Sequence, residues 1–209
     1  MKMRIIERLL FSVVLALALA ACAGSSIQMT QIHLEEARSD KPIKDVLVIV
    51  IIDDQEIRAI FEKHFVDWLN AKGVEAITSV AVLPIQKGVK LKKEAIVEVV
   101  DAYENDAILL THLLGYEESE VFSRDRPQFF YNYYGFYNYA WGYVYWPTIY
   151  GEKVQFSLET GLYDVKTESL LWAGESLVKN PETTGQAIGQ VVVAVMKELD
   201  KHAFLPTKR

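Results

Sequence analysis

Asp53 and Asp54 follow the unbroken apolar run Val46–Ile52. Phosphoryl-transfer and receiver domains place acidic residues at such a strand end, where their oxygens hold Mg²⁺. A site of that kind needs carboxylates from later strand ends as well. The next buried run but one ends Thr111-His112-Leu113-Leu114 and has none in that register. Asp54 is therefore read as a helix cap at the positive end of the following helix. His112 precedes Glu117, Glu118 and Glu120, while His33, His64 and His202 are dispersed. A transition-metal centre wants two or three converging ligands, and no His-x-His or His-Cys spacing occurs. Glu159, Asp164 and Glu175 are candidates for a carboxylate pair across a hairpin, as in glycoside hydrolysis, though spacing alone does not set their separation. No G-x-S-x-G elbow is present. Gly185-x-x-x-Gly189 suits close helix packing rather than phosphate binding. The expectation is no catalytic residue, no metal and no cofactor.

A second chemical signal is aromatic. Residues 127–151 carry no charged side chain, and 13 of the chain's 24 aromatic residues lie between Phe129 and Tyr150. The rings follow neither the helical nor the strand period, and the interleaved glycines weaken a helix. The segment reads as an insertion between a strand and a hairpin. One reading is a loop folded over its own sheet. Another is a contact surface, since tyrosine and tryptophan give large area at small entropy cost. Tyr131, Tyr134, Tyr137, Trp141, Tyr143 and Trp146 are then the candidate residues. Another envelope protein, a second copy, glycan or the lipid headgroup layer are the candidate partners. A nucleic-acid stacking platform would need a basic groove beside the rings, and the segment has no basic residue.

The elements that must position these groups are legible in outline. Val46–Ile52 predicts a strand buried on both faces. A helix follows to about Lys72, with the stripe Ile57, Ile60, Phe61, Phe65, Trp68 and Leu69, and Gly73 ends it. Val74–Leu83 is expected to be a second strand, Lys92–Glu104 a second helix with Ile96, Val99, Val100 and Tyr103 inward, and Ala107–Tyr116 a third strand. Alternation over Val154–Leu162 and the return Leu170–Val178 predict a hairpin. Asn180-Pro181 is expected to open a last helix with the stripe Ile188, Val191, Val192, Val195, Met196 and Leu199. The fold class is α/β (α+β): one domain over 45–205, with a mixed sheet of about five strands and three helices, β-α-β-α-β then a hairpin and a C-terminal helix.

The start of the chain concerns location. Lys2, Arg4 and Arg8 precede an apolar run, Leu9–Leu19, which is too short to cross a bilayer. Leu19-Ala20-Ala21-Cys22 then contains the only cysteine. The run resembles the lipobox of bacterial lipoproteins. That resemblance implies a signal peptide over 1–21, diacylation of Cys22, and a lipidated N-terminus and tether over 22–44. Two or more acyl chains make a durable anchor. Ala23 stands where an inner-membrane retention signal carries aspartate, which implies the periplasmic side of the outer membrane. Removing residues 1–21 takes away three basic residues and one acidic, leaving about −8 formally. That balance argues against nucleic acid and against electrostatic attraction to anionic lipid.

Leu162-Tyr163-Asp164-Val165-Lys166-Thr167-Glu168-Ser169-Leu170-Leu171-Trp172-Ala173-Gly174 resembles the L-Y-D-x-x-T-g-x-L-x-W hairpin of small envelope lipoproteins. With the Tyr/Gly-rich stretch before it, the chain resembles uncharacterised proteobacterial lipoproteins of a domain of unknown function. More distantly, the β-α-β-α-β start and Val82-Leu83-Pro84 resemble the α/β domain of the TolB N-terminus and LpoB. Glu168 departs from the glycine usual at the turn. The resemblance implies a non-enzymatic binding or assembly role in the envelope, with no catalytic residues to carry over. The alternatives are an envelope-polymer hydrolase using acidic residues near the aromatic segment, and a purely structural lipoprotein.

Overall fold

The computed structural model describes residues 25–36, 41–83, 92–117, 132–140 and 154–207. They form a single α+β domain. In chain order the elements are β1 (Ser26–Leu34), β2 (Asp45–Ile51), α1 (Gln55–Ala71), β3 (Glu75–Thr78), α2 (Ser79–Val82), α3 (Lys93–Ala102), β4 (Ala107–Glu117), α4 (Tyr133–Ala140), β5 (Gln155–Asp164), β6 (Leu170–Lys179) and α5 (Thr184–Lys201). The described residues thus contain six strands and five helices, against the five and three expected. The sheet order is β1-β6-β5-β4-β2-β3. The β3-β2-β4 half is parallel, and β4-β5-β6-β1 is antiparallel.

Inner strand β2, between β4 and β3, is buried along almost its whole length, because helices cover both faces. Val46, Val48 and Val50 point to one side, with Phe61, Phe65 and Leu69 of α1 and Ile188, Val191, Val195 and Leu199 of α5. Leu47, Ile49 and Ile51 point to the other, with Ile96 and Val100 of α3 and Tyr133, Phe136 and Tyr137 of α4. Continuous apolar sequence is what a strand between two helical layers requires.

Several expectations are corrected. Residues 26–34, within the expected tether, are edge strand β1, paired antiparallel to β6 from Ser26↔Lys179 to Leu34↔Trp172. The second strand stops at Thr78, and Ser79–Val82 turns into a short helix. Tyr103, expected inward, is 48% exposed, and Ile60 is 40% exposed. The last helix begins at Thr184, not at Pro181: Asn180 has φ +49, and Thr183 is the cap, its hydroxyl accepting from Gln186 N–H at 3.1 Å. The aromatic segment contains helix α4, where no regular element was expected.

Other local readings hold. Asp54 caps α1, accepting from the N–H groups of Glu56 and Ile57 at 3.0 Å. Gly73 takes φ +83 just past the helix, the conformation a C-terminal cap needs. The hairpin shows why its residues recur together. Asp164 Oδ1 accepts from Thr167 N–H and Oγ1 at 2.7 Å, closing the turn. Tyr163 lies over Gly161 and Trp172 over Gly174, so closely that a Cβ would come within 2.7 and 2.6 Å of the rings. Glu168 sits at φ +56, the conformation that favours glycine, and its carboxylate binds Lys93 Nζ at 2.7 and 2.8 Å.

Glu62, on α1, is fully buried. Its Oε1 accepts from Val50 N–H at 3.0 Å, Arg58 Nε at 3.0 Å and the Ser79 hydroxyl at 2.5 Å, and its Oε2 accepts from Val80 N–H at 3.0 Å. Arg58 Nη2 also donates to Ser79 Oγ at 2.7 Å. The last β2–β3 pair is Val48↔Thr78, so the carboxylate receives the β2 amide beyond the end of β3. Removing one member of a buried ion pair costs about 3–5 kcal/mol. Glu62→Ala should lower the urea midpoint accordingly, and Glu62→Gln, which keeps acceptor and shape, should lower it less. Equal loss in the two variants would show that the charge is not what the network needs. Gly174→Ala should cost about 1–3 kcal/mol by overpacking against Trp172, read in the same melts.

Candidate functional site

Strand register assembles a polar row across the sheet. Ile51, His112, Glu159, Glu175 and Thr30 stand opposite one another on β2, β4, β5, β6 and β1. The parity of each strand puts the polar members on the face that α3 and α4 cover. His112 is completely buried, with its ring 4.8 Å from that of Phe136 on α4. Its Nδ1 lies 2.9 Å from the carbonyl of Leu113. A carbonyl only accepts, so Nδ1 carries the proton and Nε2 holds the lone pair in the neutral ring. Nε2 is 3.8 Å from Glu159 Oε2, whose side chain is 20% exposed. Burial pushes the His112 pKa down to about 4, against which the Leu113 carbonyl acts weakly.

Tyr163 extends the site. Its hydroxyl is driven well above the ordinary tyrosine range by burial, with Glu159 adding to the effect. Its ring stands 5.9 Å from Phe136. At the start of α4, Tyr133 is raised to about 12 by burial and then by Glu168 and Asp101, and Lys93 Nζ lies 5.9 Å from its ring centroid. Chemically the row offers a neutral imidazole beside a carboxylate, in a setting that disfavours charge on the imidazole.

The structure joins some residues read from sequence and separates others. His112 and Glu159, considered apart, are neighbours. Glu159 stands directly opposite Glu175, whereas Asp164 is spent in the turn. His64 is half-buried on α1, and His202 lies at the end of α5, 3.5 Å from Glu198. Of the aromatic candidates, Tyr137 is 2% exposed and belongs to the core with Tyr133 and Phe136. As a contact residue Tyr137 is therefore corrected. Tyr134 is half-buried, its ring 6.2 Å from that of Tyr137. Cys22, Tyr131, Trp141, Tyr143 and Trp146 lie outside the described residues, as do Glu118 and Glu120. Among the described residues no cluster of three His, Cys, Asp or Glu is placed to hold a metal ion, and no helix is long and apolar enough to cross a membrane. Glu62 was missed. Its signal was Arg58 at i−4 on a helix whose other charges lie elsewhere.

No family model and no curated protein matches the chain. Among solved structures it is similar to the PelC dodecamer from Paraburkholderia phytofirmans, at 10% identity over 88% of this chain and 100% of that one, with a TM-score of 0.48. It is also similar to lipoprotein GNA1162 from Neisseria meningitidis, at 14% identity over 76% and 99%, with a TM-score of 0.40. Likenesses of this degree leave activity to be argued from the chain's own residues.

The buried imidazole makes stability depend on pH. In the unfolded chain His112 takes a proton near its ordinary 6.5, whereas in the fold it does so only near 4. Stability from this group is full above about pH 6.5 and falls progressively as pH drops to about 4, by on the order of 3 kcal/mol at one pKa unit per 1.36 kcal/mol. His112→Leu should flatten the stability profile over that window relative to wild type. Phe136→Ala should cost ~3–5 kcal/mol and bring the His112 titration, followed by NMR, back toward 6.5. An unchanged titration in Phe136→Ala would mean that α4 is not what keeps water from the ring.

Proposed function

We propose that this chain is a bacterial envelope lipoprotein, anchored through acylated Cys22 on the periplasmic side of the outer membrane, and that it works as a non-enzymatic binding or assembly module. The observation that carries the reading is the join between leader and sheet. The lipobox-like run ends at Cys22, and β1 begins at Ser26. A cleaved leader ending at a lone cysteine, followed at once by a folded strand, suits a domain built to be displayed at a membrane.

Helix α4 supports the module reading. It spends Tyr133, Phe136 and Tyr137 on covering the sheet and leaves Tyr134 half-buried at its surface. Tyrosine at a surface serves recognition, with an apolar body and a polar tip. The partner classes are another envelope protein, a second copy or glycan.

Full-length Cys22→Ser should leave the membrane fraction or accumulate as unprocessed precursor. The mature wild-type chain should have the mass of residues 22–209 plus its acyl chains. Membrane fractionation and processing unchanged by the substitution would remove the anchor. For the module, a photo-crosslinking residue at Tyr134 in intact envelopes should give a discrete adduct that the same residue at exposed Lys166 does not. Identical patterns at the two positions would count against α4 as a contact surface.

A further inference from the structure

We infer that the sheet end carrying Ser26, Lys179 and Gln155 is held against the phospholipid headgroups, with the β5–β6 turn pointing away from the bilayer. The inference rests on the acylation of Cys22 proposed above. It follows from how little chain separates that cysteine from the fold.

Ser25 Oγ accepts a hydrogen bond from Gln190 Nε2 of α5 at 2.9 Å, and Ser26 opens β1 opposite Lys179. Ser25, held in this way, is only three residues after Cys22. At a maximum of ~3.6 Å per residue, that connection spans about 11 Å. The headgroup layer on each side of a bilayer is roughly 5–7 Å deep. The tether thus exceeds the layer it must cross by only a few ångströms, and Ser25 stays at headgroup level.

Register fixes what else lies at that level. Ser26, Lys179 and Gln155 face one another across β1, β6 and β5, and Asn180 N–H donates to the Val154 carbonyl at 2.7 Å. The opposite end of β5 and β6 is the turn closed by Asp164 and Thr167. With 10 residues in β5, that turn stands about 30 Å from the anchored end, at ~3.3 Å per residue. Tilting the sheet shortens this difference but does not reverse it, because the anchor pulls at one end only. Charge is not the cause, since the mature chain is formally acidic.

The test uses the acylated full mature chain in phosphatidylethanolamine/phosphatidylglycerol vesicles that contain a headgroup spin-labelled lipid. Acylation consumes the only native cysteine, so a thiol-reactive fluorophore reports from one introduced position. Glu182→Cys, exposed at the anchored end, is compared with Lys166→Cys, exposed in the far turn. The expected result is several-fold stronger quenching at position 182, a difference that shrinks when ten Gly/Ser residues are inserted between Gly24 and Ser25. Equal or reversed quenching in a chain shown by mass to be acylated overturns the orientation while leaving the anchor standing. An asymmetry that survives the insertion overturns tether length as its cause. A mature chain without acyl groups overturns both this inference and the anchored reading.

Discussion

One carboxylate holds three parts of this molecule in register. β2 runs on to Ile51, but its partner β3 ends at Thr78. Beyond that point the β2 edge needs an acceptor inside the protein, where water does not supply one. Glu62 receives the Val50 amide there and also receives the Val80 amide of α2. A helix, a strand and a short helix are thus tied to two oxygen atoms. The Arg58 guanidinium balances the charge and Ser79 bridges it. A buried ion pair of this kind adds little over a well-packed apolar cluster. Its role here is positional, because α1 cannot slide along the sheet without stranding backbone donors.

The two faces of the sheet are built differently. One is covered by α1 and α5, whose buried apolar side chains pack with valines of β2 around the Arg58–Glu62 pair and the hydrogen-bonded Thr111 and Thr160. The other mixes aliphatic and aromatic cover with the transverse row His112–Glu159–Glu175. Like charges directly opposite on neighbouring strands disfavour one another, and a neutral imidazole beside them is held neutral by burial. The cost of that row falls on the face closed by α4, so this helix bears on both the stability of the fold and the protonation of the site.

The parts of the fold legible in sequence were those with one clear period. β2, α1, β5, β6 and the stripe of α5 follow directly from spacing, as do the Asp54 cap and the Gly73 stop. β1 was hidden by a bulge. Ile27 and Met29 lie two apart, but the register shifts between Gln31 and His33, so the later apolar residues fall out of phase. α4 was hidden because nearly every position is aromatic, which erases the contrast that a periodicity needs. Ile60 and Glu62 exchanged their expected places because a buried charge is legible only through its partners, and Ser79 lies 17 residues away. The polar row was illegible for the same reason. His112 and Glu159 meet through strand pairing, and no local spacing encodes that.

The pairing of β1 with β6 has a kinetic consequence. Ser25 and Gln190, which bond to each other, are 165 positions apart in the chain. The first strand to be synthesised must therefore wait for nearly the whole polypeptide before it finds its neighbour. Closing so large a loop is entropically slow, and contacts of this separation lower folding rates. Until β6 is in place, β1 has no strand to pair with. Completion of the sheet at its β1 edge therefore comes late in folding, as a consequence of topology alone.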